Sequence, residues 1–484
     1  MNGKDMLEWM NNLDDKAVTD ADMTPVKVKK NNGWKIGLSI AAGVLVLAVL
    51  AYVLYPYITG KKKASPDKTQ VTEISASDDP SVIETKILKS YEMASPNYPS
   101  GQIIKPAGEK MEAYEEYYKD IVRTVLFDTK GENKVFSPLC MYMSLSMAAE
   151  ITGGNSRQQI LDVLHQPDIE SSRASAKTIW MSNYLNSNKA KLLLANSFWT
   201  NSAWTYEQSL LNTLALEYFA SSYSGDPKDP EYSEAFRAWI HDQTDGLLDD
   251  FSGDAELDPS MVLAMVSSVN FSGTWTEPFS YEEAGIFHGT SGDVTTAFVK
   301  SLADVRAYSG DHFVCASVKL TNNGSVRFIL PEEGMTPEQL LQDEGLFEFM
   351  NDADPEWDDV GRSETDPDYK AYPELVMPKV DITTNIDFKD YLRGMGITDV
   401  FDVSAADLTP LTQEGRGELT ITSIEHDARV IIDENGCKAI AVSIIQAGAG
   451  DRLSDNQIVL DRPYIFEIVS ETGLPIFVGI VNNV

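Results

Sequence analysis

The chain has 484 residues and a hydrophobic content of 43%, which suffices for the core of one large domain or two ordinary ones. Its 39 basic residues stand against 74 acidic ones, and the resulting net charge of −35 argues against nucleic-acid binding, which requires cationic contacts to phosphates. Three scattered cysteines (Cys140, Cys315, Cys437) form no disulfide framework, and the absence of enzyme and zinc motifs predicts no catalysis, metal site or cofactor.

A short polar tail, residues 1–35, precedes an apolar stretch at residues 36–58. At ~1.5 Å per helical residue this stretch is long enough to cross a hydrocarbon layer of ~30 Å. Trp34, Tyr55 and Tyr57 stand at its ends, where aromatic rings favour the membrane interface. A cleaved signal peptide is the alternative, but the run is long, starts well inside the chain and lacks a small-residue cleavage site. The sequence predicts a single uncleaved transmembrane helix, and lysines on both sides leave its orientation open.

Residues 59–109 mix Lys, Ser, Pro, Asp and Thr with little apolar periodicity, which predicts a flexible linker. From Met111 apolar residues recur at helical spacing, and residues 110–484 read as one domain with a strand-rich final third. An acidic cluster at residues 352–359 imitates the opening of a calcium-binding EF-hand loop. Trp357 stands where that loop needs its turn glycine, so the cluster is interpreted as a solvated loop.

A stretch near the C-terminus, residues 434–444, alternates sharply in side-chain size. With a strand's period of two, Cys437, Ala439, Ala441 and Ser443 share one face, and bulky or charged residues share the other. A strand that must enter a close-packed sheet gains from small side chains, because protein interiors tolerate little extra volume. An ordinary alanine-rich strand or loop is the alternative, and this stretch alone does not decide between them.

A series of short motifs elsewhere in the chain follows the order and spacing of one protein family. They occupy residues 133–141, 153–160, 194–197, 239–246, 271–275, 377–379, 433–436, 461–464 and 476–481. Through them, residues 110–484 resemble the serpins, a family of serine protease inhibitors.

The resemblance implies an α+β fold with three β-sheets, eight or nine helices and an exposed reactive-centre loop. It also implies a mechanism in which a target protease cleaves the loop, and the cut loop inserts as a new strand into the largest sheet. The chain is therefore expected to be an irreversible suicide-type inhibitor of serine endopeptidases, monomeric and not an enzyme. A non-inhibitory binding protein and a cross-class inhibitor of cysteine proteases are the alternatives.

The resemblance further implies two functional regions of the large sheet. The shutter is a group of polar residues beneath the sheet, and the breach is the region at its top, marked by a tryptophan. These positions are Ser137, Cys140, Ser267 and His426 for the shutter and Trp275 for the breach. Cys140 replaces a serine of the family and Ser267 replaces an asparagine. Because serine is shorter than asparagine, we expect the hydrogen-bond network of the shutter to be rewired or filled by water.

The hinge implied by the resemblance is the start of the small-residue stretch. It comprises Gly436, Cys437, Ala439, Ala441 and Ser443. Cys437 stands where the family usually has threonine, and Lys438 where it usually has glutamate. Cys437 is small and uncharged on the inward face, so the pattern still favours insertion.

The loop length of the family places the scissile bond between Gly450 and Asp451, with Ala449 and Arg452 as alternatives. Small residues at the cut suit an elastase-like or subtilisin-like protease, whereas Arg452 would suit a trypsin-like one. The predicted anchor adds a lipid membrane as a partner. We expect the inhibitor domain on the extracellular face of a bacterial-type cell envelope.

Overall fold

The fold is taken from a computed structural model that describes most of the region from residue 88 onward. The described residues are 88–96, 108–186, 190–244, 246, 248, 257–301, 305–321, 323–358, 361–362, 370–371, 373–412, 419–422, 424–437 and 457–484. All of them fall within one structural unit, Ala76–Val484. The predicted tail and membrane span, residues 1–58, lie outside the described residues, as does most of the predicted linker. Of the helices that are described, none is long and apolar enough to span a membrane.

The helices cluster in the first half of the described region. In chain order they are α1 (Gly108–Leu126), α2 (Pro138–Ile151), α3 (Gly154–Val163), α4 (Ile169–Asn183), α5 (Gln208–Glu217), α6 (Pro230–Thr244), α7 (Pro337–Leu340), α8 (Glu344–Asn351) and α9 (Lys389–Gly394).

Helix α2 is the central helix, because almost every one of its side chains is buried. A helix that is apolar all round belongs in a core. Ser137 caps its N-terminus by accepting a hydrogen bond from the amide of Cys140, and Pro138 occupies the first turn, where no amide hydrogen is needed. The start of α2 is therefore fixed by sequence at the point where it meets the largest sheet.

The strands form three principal sheets and one short hairpin. The largest sheet has the order β1 (Glu92–Ala94), β5 (Ala220–Gly225), β4 (Lys191–Asn201), β6 (Leu263–Thr274), β17 (Gly436–Cys437), β16 (Glu425–Ile432) and β15 (Val380–Asp387), with β3 (Leu185–Asn186) also paired to β4. The second sheet has the order β2 (Lys134–Phe136), β20 (Pro475–Val481), β19 (Tyr464–Val469), β11 (Ser325–Pro331), β10 (Phe313–Lys319) and β9 (Arg306–Ser309). The third has the order β18 (Gln457–Val459), β14 (Glu374–Pro378), β8 (Gly292–Lys300) and β7 (Ser280–Gly289), and the hairpin pairs β12 (Gly361–Arg362) with β13 (Lys370–Ala371).

Two apolar cores lie on opposite faces of the large sheet. The main core contains α1, α2 and the second sheet, and strands β19 and β20 are buried along their whole length. A smaller core joins α6 to the outer face of the large sheet through Trp199, Tyr223, Tyr232 and Trp239. Helix α6 therefore lies against the large sheet on the side away from the main core.

The α+β class and the three-sheet architecture are confirmed. One segment differs from the prediction: residues 88–96 were assigned to a flexible linker, yet they contain a helical turn (residues 88–91) and strand β1. Strand β1 pairs antiparallel with β5 at the edge of the large sheet. Composition alone suggested a linker because three residues of strand leave no readable periodicity.

Candidate functional site

The candidate site is a cleft in the large sheet between the facing edges of β6 (residues 263–272) and β16 (residues 425–431), which we call the slot. At its upper end, Gly436 and Cys437 pair with Thr274 and Gly273 of β6, and Cys437 also pairs with Ile432 of β16. Below this short strand, no described residue pairs with either facing edge. Among the described residues, the slot therefore holds two residues of one strand, Gly436 and Cys437.

The lower part of the slot encloses a cavity of about 90 Å³. Four predicted shutter residues line it together: Ser137, Cys140, Ser267 and His426. Its outer side is lined by Trp239, Ile240 and Thr244, all from the C-terminal half of α6. The tertiary structure therefore assembles the shutter from α2, β6 and β16, and it covers the slot with a helix.

Ser137 connects α2 to the two neighbouring sheets. Its amide donates to Nε2 of His426 at 3.1 Å, and its hydroxyl donates to the carbonyl of Ile476 at 2.7 Å. His426 is only 6% exposed, and burial lowers its pKa to about 4. The ring is therefore neutral at pH 7, with Nε2 as the acceptor and Nδ1 as the site of its proton.

The two residues that differ from the family pattern contact each other through the main chain. The thiol of Cys140 donates to the carbonyl oxygen of Ser267 at 2.9 Å. Burial raises the pKa of this thiol to about 12, so it keeps its proton. The hydroxyl of Ser267 is buried and has no hydrogen-bond partner among the described residues. Cys140 therefore contacts the backbone of Ser267 and not its side chain.

Trp275 lies apart from the shutter, at the upper end of the slot. Its indole N–H donates to the carbonyl of Asp433 at 2.8 Å, its amide donates to the carbonyl of Asn435 at 3.0 Å, and its ring stacks on Phe279 with centroids 5.2 Å apart. The ring is 2% exposed. Trp275 therefore fixes the turn from which the chain enters the slot.

The close approach of this turn to β6 requires a glycine at position 436. A Cβ atom there would overlap the carbonyl oxygen of Gly273 and lie 2.7 Å from Cα of Thr274, both of them backbone atoms. Cys437, the next residue, is buried toward the main core, on the face that the sequence assigned to it. The predicted hinge residues Ala439, Ala441 and Ser443 lie outside the described residues, as do the predicted cleavage positions Ala449, Gly450, Asp451 and Arg452.

The sequence did not predict two features of the site. One is that Gly436 and Cys437 are already paired within the sheet, which depends on a glycine-specific approach between distant strands. The other is the cover provided by α6, although the pattern Trp239, Ile240 and Thr244 at helical spacing was a signal that this helix buries a face.

The acidic cluster near residue 352 makes ordinary loop contacts. The carboxylate of Asp352 accepts from the amide of Asp354 at 3.0 Å, and its carbonyl accepts from the guanidinium of Arg327 at 2.7 Å. Within the described ranges, no three His, Cys, Asp or Glu side chains are placed to hold a metal ion.

The fold combines three β-sheets with a helix over one face of the largest, and in that sheet Gly436 and Cys437 are the described residues that lie between β6 and β16. The chain belongs to the family described as serpin (serine protease inhibitor), whose sequence model matches residues 113–484. It is 26% identical over 381 residues to a serine proteinase inhibitor of Cavia porcellus, covering 75% of this chain and 86% of that protein. It is 24% identical over 373 residues to serpin-Z2B of Triticum aestivum, covering 72% of this chain and 90% of that protein.

Solved structures give the same fold. The native state of tengpin, a thermophilic serpin, superposes with a TM-score of 0.67 at 22% identity, covering 81% of this chain and 98% of tengpin. Human thyroxine-binding globulin in complex with its hormone superposes with a TM-score of 0.66 at 18% identity, covering 78% of this chain and 98% of that protein. Because the fold is common to proteins of such different function, the activity of this chain has to be argued from its own residues.

Proposed function

We propose that this chain is an irreversible suicide-type inhibitor of a serine endopeptidase. The protease cleaves the reactive-centre loop near Gly450–Asp451, and the freed strand enters the slot while the protease is still attached as an acyl-enzyme. The observation that carries the proposal is the pairing of Gly436 and Cys437 with both walls of the slot, which starts the new strand in register.

Continuing that register down the slot places the small-residue face against the main core. Ala441 comes opposite Val269 of β6 and Ala428 of β16, and Ser443 comes opposite Ser267 and His426. Small side chains are needed there because the space behind the sheet is already packed. A hydroxyl at position 443 would come within reach of the Ser267 hydroxyl, which is buried and has no hydrogen-bond partner among the described residues, so insertion would supply one.

The free energy that strand insertion would release is comparable to the folding stability of a protease domain. A strand of about fifteen residues at ~1 kcal/mol net per hydrogen bond yields on the order of 15 kcal/mol. The folding stability of an ordinary domain is only ~5–15 kcal/mol. Insertion can therefore distort the active site of an attached protease.

The residues around the cut favour an elastase-like or subtilisin-like target. Ala449 and Gly450 fit a shallow primary pocket, whereas cleavage after Arg452 would require a pocket with a carboxylate. Gly450 offers a pocket little to hold, so neighbouring subsites supply most of the recognition.

The direct test is incubation of the purified protein with elastase, subtilisin, trypsin and papain. We expect a covalent complex with elastase or subtilisin that survives denaturing electrophoresis, and mass spectrometry of the released peptide fixes the scissile bond. A complex with papain alone would indicate a cysteine-protease inhibitor. Cleavage by every protease without any complex would refute inhibition and favour a non-inhibitory binding role.

A pair of hinge variants tests the register. Ala441→Arg would bury an unpaired charge on the inward face, at a cost of several kcal/mol, and should turn the inhibitor into a substrate. Ile440→Arg is the matched control, since position 440 falls on the outward face opposite Asn270 and Arg429. An equal yield of complex from both variants would show that the assigned register is wrong.

We further propose that residues 36–58 anchor the inhibitor in a membrane with its folded domain on the extracellular face of a bacterial-type envelope. The apolar length of the segment and the aromatic residues at its ends support this. Deletion of residues 36–58 should move the protein from the membrane fraction to the soluble fraction. Protease added to intact cells should remove the domain, and full protection would place the domain on the inner side.

A further inference from the structure

The segment of residues 88–96, which we call the latch, lies before the matched family region yet forms part of the large sheet. Its strand β1 places Glu92 opposite Tyr223 and Ala94 opposite Ser222 at the outer edge of β5. Leu88 and Tyr91 pack against the smaller core beneath α6. The latch is therefore folded onto the same surface as the helix that covers the slot.

Tyr91 joins the latch to the N-terminal end of α6. Its hydroxyl donates to the carboxylate of Asp229, the residue before α6, at 3.0 Å. Its ring lies 4.9 Å from the ring of Tyr232 in the first turn of α6. Burial and the Asp229 carboxylate raise the pKa of Tyr91 to about 12, so the phenol remains a donor at neutral pH.

The contacts continue from this end of α6 to the slot. Tyr232 contacts Trp199 with ring centroids 5.5 Å apart, and Trp239 and Val266 belong to the same core. Trp239 and Val266 also line the cavity in the slot. One continuous apolar cluster thus links the latch at the sheet edge to the cover over the slot.

Helix α6 has to shift before a strand can pass down the slot. Trp239 and Thr244 of α6 line the same cavity as Ser267 of β6, so this helix lies directly against the wall of the slot. The outward side chains of an incoming strand would enter the space lined by Trp239 and Ile240. The position of α6 therefore controls access to the slot, and whatever fixes α6 restrains insertion.

We propose that the latch fixes α6 over the slot through Tyr91 and thereby slows strand insertion until a protease cleaves the loop. The inference rests on the proposed inhibitory function. It assigns a regulatory role to a segment outside the matched family region.

The test compares the full chain with Tyr91→Ala and Tyr91→Phe, each in detergent micelles and checked for folding by circular dichroism. The first assay is hydrogen exchange of the α6 amides, and the second is the rate at which a labelled peptide of residues 437–450 enters the sheet. Loss of one hydrogen bond and one aromatic contact should accelerate both by about tenfold in Tyr91→Ala, with a smaller increase in Tyr91→Phe. Tyr184→Ala is the matched control, because its ring stacks on Trp180 at 4.6 Å and not on α6.

Each outcome decides the proposal. Faster exchange and faster peptide uptake in Tyr91→Ala but not in Tyr184→Ala would support it. Wild-type uptake that Tyr91→Ala does not accelerate, or equal acceleration by both variants, would refute the latch and leave the inhibitory function standing. A wild-type protein that never takes up the peptide would overturn strand insertion and the latch together.

Discussion

Acidification should destabilise the protein through His426, the buried ring that connects α2 to β16. Its Nε2 atom accepts the amide hydrogen of Ser137 at 3.1 Å, and its ring meets the ring of Phe388 edge-on with centroids 5.6 Å apart. Protonation would add a hydrogen to Nε2, which would then face the N–H of Ser137 and could no longer accept its hydrogen bond. It would also leave a positive charge in a buried site. The folded state therefore resists protonation of this ring.

The magnitude follows from the difference in pKa between the two states. Burial lowers the pKa of His426 from 6.5 to about 4, so between these values the unfolded chain carries a proton that the folded chain lacks. The stabilisation from the neutral ring is complete above pH 6.5 and is lost as the pH falls toward 4, and it amounts to on the order of 3 kcal/mol. At pH 5.0, which stays above the sequence pI of 4.4, the loss should be about 2 kcal/mol.

The assay is urea unfolding of the wild type and of His426→Gln at pH 7.5 and pH 5.0, followed by tryptophan fluorescence. The glutamine carbonyl can accept the Ser137 hydrogen bond but does not titrate. Carboxyl groups titrate in both proteins, so the difference between their losses isolates His426. We expect the wild type to lose about 2 kcal/mol more than the variant. Equal losses would refute the assignment of a neutral, buried ring.

Two further predictions concern backbone contact at the hinge and the buried ion pair. Gly436→Ala should separate β17 from β6 and cost about 2–3 kcal/mol in unfolding free energy through lost hydrogen bonds, and it should lower the yield of covalent complex. Gly394→Ala is its control, since nothing lies within 4 Å of a Cβ there, and a comparable loss in that variant would contradict the steric argument. Glu467→Leu should cost about 3–5 kcal/mol, because it leaves the guanidinium of Arg327, 3.2 Å away and 2% exposed, without its counter-ion. Urea denaturation measures this loss, and an unchanged midpoint would show that the pair contributes nothing.

Short-range patterns in the sequence predicted much of the fold. The alternation around Cys437 placed that side chain on the inward face, where the structure buries it, because the period of a strand is a local property. Motif order indicated the three-sheet architecture, and the positions of Ser137, Cys140, Ser267 and His426 followed from it.

Contacts between segments far apart in the chain could not be predicted in this way. The latch was interpreted as linker, because strand β1 is stabilised by pairing with β5 and by Tyr91 on Tyr232, about 140 residues away, and not by its own periodicity. The substitution at Ser267 indicated a changed shutter, but only the tertiary structure showed that the Cys140 thiol contacts a backbone carbonyl and that the Ser267 hydroxyl has no partner among the described residues.

The serpin fold could be predicted from the amino-acid order, since it follows from local pattern and motif spacing. The roles assigned to the hinge and shutter residues stay predictions. Three further features required the folded chain. No described residue pairs with β6 or β16 below Cys437, α6 lines the cavity there, and Tyr91 contacts Asp229 and Tyr232 at the start of α6. Strand pairing and helix docking join surfaces whose residues are separated by tens to hundreds of positions. A local sequence pattern therefore does not predict which strands pair or on which surface a helix docks.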